Sequence, residues 1–223
     1  MHLAPTQFAL KAPRMSLADA VYEILLEAIL NGRLAAGAEL NAVVLAKQLD
    51  VSRTPVQEAI RRLQSDSLAV DLPGRKARVA RFTAADIQEV YRMRQLLESE
   101  AAALASQTIA LDVLETLRQE AATLAATMDS PDWASRALDF DLKFHDLVAL
   151  ASGNRRLAND IGRYRLLVRG FCRMTGTLAN LQAAFAEHME ILSALETRNA
   201  NQARAAMARH IQKRLRDVLA SLA

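Results

Sequence analysis

The stretch Val51-Ser52-Arg53-Thr54-Pro55-Val56-Gln57-Glu58-Ala59-Ile60-Arg61-Arg62-Leu63 decides how this chain is read. Val56, Ala59, Ile60 and Leu63 recur at helical spacing and form one apolar stripe. With that stripe turned inward, Arg53, Gln57 and Arg61 line up outward at i, i+4 and i+8. Thr54 is expected to cap this helix. Pro55 then takes its first position, where a missing N–H costs nothing, and Gln57 completes a capping-box spacing. Arginine grips guanine edges or phosphate with two hydrogen bonds, and glutamine pairs with adenine. Ser52, Thr54 and the free N–H groups of the first turn suit a phosphate oxygen.

Upstream, Val21, Ile24, Leu25, Ala28 and Ile29 mark a helix from Leu17 that Gly32 ends, and Gly37 marks a turn. A short second helix follows Asn41 through Leu45, Ala46 and Leu49. Downstream, Leu68–Leu72 and Ala77–Phe82 flank Pro73-Gly74-Arg75-Lys76 as a small hairpin. Three short helices and a hairpin predict a winged helix-turn-helix over 16–82, its third helix free to enter a major groove. Arg75, Lys76 and Arg78 on the hairpin can track the backbone or the minor groove. Residues 1–15 hold Pro5 and Pro13 without periodicity and read as a flexible tail.

Beyond Thr83 only four of the seven glycines and one of the five prolines occur, and Ala and Leu dominate. Helical stripes run through roughly 84–106, 110–128, 132–151, 155–175, 178–197 and 200–222, with short breaks between them. Six such helices predict an antiparallel bundle over 83–223, making the chain mainly α. Among 223 residues, 52% are apolar, which argues against disorder, and the single cysteine, Cys172, excludes a disulfide framework. No uncharged apolar run of membrane-spanning length and no long apolar segment at the N-terminus occur, so a cytoplasmic protein with no membrane partner is expected. The charge is divided: residues 1–81 hold 11 Lys+Arg against 8 Asp+Glu, and the remainder is balanced. A basic end joined to a neutral body points to an anionic partner for that end.

Residues 51–63 closely resemble the recognition-helix signature of the GntR family of bacterial transcription regulators. The upstream pattern Tyr22, Ile29, Gly32, Leu34, Gly37, Leu40, Leu45-Ala46 and Leu49 follows that family's spacing. The resemblance implies double-stranded operator DNA with two-fold symmetry as partner, and a homodimer to read it. Departures fall at Gln57, where the family usually has Arg, at Ala36-Gly37 in place of Pro-Gly, and at Ser67 in place of Gly. Lys76 also stands at the wing tip, with Gly74 two residues earlier. The helix contacts therefore carry over more securely than the wing contacts.

In the bundle, Asp141 and His145 are spaced i, i+4 on one face, His188 lies on the stripe Leu181, Phe185, Leu192, Leu195, and His210 flanks Met207 and Ile211. Three imidazoles and a carboxylate from three helices can ligate a divalent ion, or they can be satisfied core residues. Asp141-Leu-Lys-Phe-His145, Ser152-Gly153-Asn154, Glu187-His188 and His210-Ile211 resemble the metal-binding version of the FCD effector domain, in the FadR-type branch of the same family. That resemblance implies Asp141, His145, His188 and His210 as ligands of a divalent metal ion, zinc or nickel before manganese, and a small carboxylate effector bound with its help. Arg94, on the stripe Ile87, Val90, Tyr91, Leu97, Ala101, is either the clamp for that effector or the partner of Glu98 in an internal ion pair. Arg165 is a second candidate for effector binding, and Asn154 matches a family position but also suits a helix cap.

The combined expectation is a ligand-responsive transcription regulator, by family habit a repressor released from its operator when the effector binds. One rival is a metal-dependent hydrolase with a DNA-targeting domain, and another is a regulator with a purely structural metal. A hydrolase needs a general base beside the ion. Glu187 adjoins His188, but a helix turns it about 100° away, and no other inward Glu stands out, so no enzyme is expected.

Overall fold

A computed structural model of the chain describes residues 16–71, 76–175 and 177–221, without the side chains of 170–175. The tail expected over 1–15, the Pro73-Gly74-Arg75 tip with its DNA-contact candidate Arg75, the Cys172 side chain and the break at Gly176 lie outside the described residues. Contacts divide the chain into two units, Met1–Arg81 and Phe82–Ala223.

In the first unit α1 (Leu17–Leu30) starts at a capping box in which Ser16 and Asp19 exchange hydrogen bonds. Its Val21, Tyr22, Leu25, Leu26 and Leu30 are buried. The helix packs on α3 (Arg53–Ser65), which buries Val56, Ala59, Ile60 and Leu63. Val56, Ile60 and Leu63 each contribute about 1.5–3 kcal/mol. Asn41 caps α2 (Ala42–Leu49), its side chain accepting from Val43 N and Val44 N, and Asp50 in the left-handed region (φ 52°) turns the chain towards α3.

The start of α3 differs from the sequence expectation. Its N-cap is Ser52, without a side-chain cap hydrogen bond, so Thr54 sits within the first turn and the Thr54/Gln57 capping box does not form. Pro55 thereby becomes the third helical residue. A cap hydroxyl usually bonds the N–H of the second or third helical residue, and the third has none here. The hairpin is shorter than expected. β1 (Ala69–Val70) and β2 (Arg78–Val79) pair antiparallel, Ala69 opposite Val79. The segment before α2 adds a third edge through Leu40 N→Ala77 O and Val79 N→Ala38 O. Ser67, between α3 and β1, holds φ at 60°, a conformation that favours glycine.

The second unit is a helical bundle of α4 (Ala84–Thr108), α5 (Leu111–Ala125), α6 (Trp133–Ala151), α7 (Arg155–Thr175), α8 (Leu178–Glu196) and α9 (Ala200–Ala220). The long α4 begins at a Thr83/Asp86 capping box and packs against α6, α7, α8 and α9, so its middle is the centre of the bundle. Arg198 (φ 55°) makes the α8–α9 turn and donates to Ile109 O at 2.8 Å, tying that turn to the end of α4. Trp133, Phe140, Phe144 and Phe185 form an aromatic cluster between α6 and α8, Phe185 meeting Trp133 and Phe140 edge-on, the Trp133 indole N–H satisfied by Leu124 O. Among the described residues no helix is long and apolar enough to cross a membrane.

Candidate metal centre and nucleic-acid interface

On α3, Ser52, Arg53, Thr54, Gln57 and Arg61 are all exposed, as a groove-reading face requires. The uncapped first turn leaves its N–H groups directed outward beside Ser52 and Thr54. Arg62, the next residue, is exposed but engaged with α1: it pairs with Asp19 and stacks 4.0 Å over the Tyr22 ring, while Tyr22 Oη donates to Asp66 at 2.7 Å. Burial and the Asp66 carboxylate push the Tyr22 phenol well above its ordinary range. This network holds α3 on α1. Lys76 is exposed and donates to Glu39, so the hairpin cation is partly neutralised; Arg78 donates to Gly37 O. Gly37 (φ 83°) adopts the left-handed conformation that favours glycine, and the Arg81 guanidinium packs close against it.

In the bundle, α6 brings Asp141 and His145, α8 brings His188 and α9 brings His210 to one point, with one ligand atom of each within 4.8 Å of the others. The three histidines are buried. His145 Nε2 lies 3.2 Å from His188 Nε2 and 3.3 Å from His210 Nε2, and Asp141 Oδ1 lies 3.3 Å from His188 Nε2. Two nitrogens bound to one ion at about 2.1 Å stand about 3.0 Å apart at a right angle and about 3.4 Å apart at a tetrahedral angle. The observed spacing falls between.

The outer nitrogens argue the same way. His145 Nδ1 meets Glu98 Oε2 at 2.5 Å, and His210 Nδ1 meets Glu187 Oε2 at 2.8 Å. A carboxylate at Nδ1 keeps the proton there, so both Nε2 atoms present lone pairs to each other across 3.3 Å of buried space. A cation between them would relieve that opposition. Burial, and then Arg165, push His145 down to about 4, and burial with His210 lowers His188, so neutral imidazoles suited to ligation are favoured. Burial alone would raise Asp141; Arg165 first, then the imidazoles, outweigh it and hold the carboxyl well below its usual range. Burial likewise opposes ionisation of Glu98, and Arg94, then His145, override it.

Arg94 and Arg165 are both buried, and the two readings of Arg94 are compatible. Its Nε donates to Glu98 Oε1 at 2.7 Å, and the residue also lines a cavity of about 190 Å³. Asp141, His188 and His210 form one side of that cavity, and Arg165 and Arg214 belong to its wall. Arg165 Nη2 donates to Asp141 Oδ2 at 3.1 Å, which leaves Oδ1 facing the histidines. Asn154 stands elsewhere. It caps α7, its Oδ1 accepting from Leu157 N at 3.1 Å, and it is not among the cavity's lining residues, which corrects its assignment to the effector.

Two functional residues escape sequence reasoning. Glu187 is turned away from His188, as expected, but that direction is inward too, because α9 packs there and presents His210 and Arg214. Glu98 needed only its i−4 partner Arg94 to be noticed, yet nothing local connects it with His145 on another helix. Both carboxylates contact the outer nitrogens and so orient the imidazoles; neither stands on the inner side.

Residues 89–213 match the family profile described as FCD domain, and residues 17–79 match that of bacterial regulatory proteins, gntR family. The chain is similar to the HTH-type transcriptional regulator YdhC of Bacillus subtilis, 28% identical over 185 residues that cover 82% of each chain. It is also similar to an HTH-type transcriptional regulator of Agrobacterium vitis from the TAR-I ttuE-ttuC' intergenic region, 34% identical over 141 residues, covering 60% of this chain and 80% of that one. Its fold is that of Escherichia coli McbR/YncC, with a TM-score of 0.78 at 23% identity over 94% of this chain and all of the other (100%). A DNA-reading helix-turn-helix followed by an FCD bundle makes the chain a member of the GntR family of bacterial transcriptional regulators, and not an enzyme.

Proposed function

We propose that the chain is a repressor that leaves a two-fold operator when a small carboxylate binds beside a divalent ion in the bundle. The observation that carries this reading is the convergence of Asp141, His145, His188 and His210, three of which, Asp141, His188 and His210, line a cavity that also holds the buried Arg94 and Arg165. The four side chains supply three imidazole nitrogens and one carboxylate, a donor set suited to zinc or nickel, with manganese also compatible. When bound, the ion provides the positive charge at which an effector carboxylate docks. Glu98 and Glu187 hold His145 and His210 in the ligating tautomer; Arg165 aims Asp141, and Arg94 offers its guanidinium to the effector.

DNA is read by Arg53, Gln57 and Arg61, with Ser52, Thr54 and the first-turn N–H groups on phosphate and Arg75 and Lys76 on the flanking backbone. A second copy supplies the other half-site. The exposed Met93, Leu96 and Leu104 on α4 favour that helix as part of the dimer face. The same helix carries Arg94 and Glu98 and begins at Ala84, three residues after Arg81, so a shift of the site's ion pairs reaches the element that follows the DNA-binding unit. Release requires the effector to favour one of two bundle arrangements.

The test is metal analysis of the purified protein and of Asp141→Ala and His188→Ala, followed by gel shifts on operator DNA with and without candidate acids. About one ion per chain, lost in the variants, and an acid that releases DNA only from the metal-loaded wild type are expected. Wild-type protein that holds no ion after chelator-free purification, with both variants folded and unchanged, refutes the ligand assignment.

A further inference from the structure

The cavity beside the ion site has a chemistry of its own beyond its charged end. Leu138, Leu142, Val168, Leu181, Phe185 and Val218 form an apolar part of the wall away from the ligands, beside the polar Ser135, Asp139 and Asn180. The arginines there are already engaged with protein carboxylates. Arg94 holds Glu98, Arg165 holds Asp141, and Arg214 holds Glu187 and Asp217. An ion held by the ligands would add its charge at one side of this space, with those aliphatic side chains on the rest of the wall. A second ionised group on the ligand would lie against aliphatic side chains and pay its desolvation without a partner.

Size narrows the ligand further. The cavity measures about 190 Å³, whereas an apolar cavity of about 150 Å³ is filled by benzene. Room therefore exists for roughly seven to ten non-hydrogen atoms, well below the several hundred Å³ that drug-sized molecules occupy. We infer that the effector is a compact monocarboxylate with an apolar body, a short branched or unbranched fatty acid or a benzoate-like acid, rather than a dicarboxylate or a polyhydroxy sugar acid. The inference rests on the ion and effector reading above and specifies its ligand.

The probes are acetate, hexanoate, benzoate, succinate and gluconate, titrated by calorimetry into the metal-loaded full-length protein and into the same protein after chelation. Each buried methylene is worth about fourfold in affinity, so hexanoate and benzoate are expected to bind at least about tenfold more tightly than acetate, with succinate and gluconate weaker than either. Leu181→Asn, on the apolar wall and away from the ligands, is expected to weaken hexanoate about tenfold and to leave acetate within about twofold. Succinate or gluconate binding more tightly than hexanoate and benzoate overturns the monocarboxylate assignment while leaving the effector site standing. So does a Leu181→Asn variant that binds hexanoate as the wild type does. Binding of no acid to loaded protein, or equal binding after chelation, instead overturns the underlying effector-at-the-ion reading.

Discussion

Replacing Glu98 by glutamine tests the buried network most directly. The carboxylate accepts from Arg94 Nε at 2.7 Å, meets His145 Nδ1 at 2.5 Å and stands 3.9 Å from Arg165 Nη1. Arg94, Glu98 and His145 side chains are at most 3% exposed, so water cannot screen the loss. Breaking one partner out of a buried pair costs about 3–5 kcal/mol, because the remaining guanidinium is left uncompensated. In a domain of this size each kcal/mol lowers the midpoint by about 2–4 °C, so Glu98→Gln is expected to melt roughly 6–20 °C below wild type. The amide also holds His145 less firmly in its ligating tautomer, which weakens metal binding about 10–100-fold. The double substitution Arg94→Met/Glu98→Leu instead removes both charges, and most of the thermal loss is expected to return while metal affinity stays low. Calorimetric melts and competition with a chelator separate the two quantities. A Glu98→Gln protein that melts within about 2 °C of wild type and binds metal equally refutes the account of the network.

Acid sensitivity follows from His145, whose folded value near 4 lies below its ordinary 6.5. Between those values the unfolded chain binds more protons, so metal-free protein loses stability as pH falls from 6.5 towards 4, by up to about 1.4 kcal/mol per pH unit for this residue. Melts of chelated protein that stay flat across that window would contradict the burial of a neutral imidazole. Ser67→Gly relieves a left-handed non-glycine residue (φ 60°) and is expected to stabilise the first unit by about 0.5–1 kcal/mol in denaturant melts. Arg61→Ala should weaken operator binding by about 1–3 kcal/mol. A loss confined to particular operator bases marks a base contact, whereas a uniform loss with a salt slope reduced by about one marks a phosphate contact; unchanged affinity removes Arg61 from the interface.

Much of this architecture is legible along the chain because helices declare themselves locally. The apolar period of Val56, Ala59, Ile60 and Leu63 requires an inner face, and it leaves Arg53, Gln57 and Arg61 on the outer one. Asn41 and Thr83 announce their helices by the capping oxygens that the structure uses. Even the imidazoles could be nominated, since Asp141 and His145 share a face at i, i+4 and each histidine lies on or beside an apolar stripe.

Local spacing states which face of a helix is apolar, but not which distant helix that face will meet. The sequence by itself therefore determined two units, their helices, an outward basic face on α3 and a set of histidines directed inward. Only the tertiary structure decided that His145 Nε2 stands 3.2 Å from His188 Nε2 and 3.3 Å from His210 Nε2, across sequence separations of 43 and 65 residues. Packing also gave Glu98 and Glu187 to the outer nitrogens and Arg165 to Asp141. Those assignments depend on distances between atoms far apart in the chain, and such distances exist only once the desolvation of every face has been satisfied together.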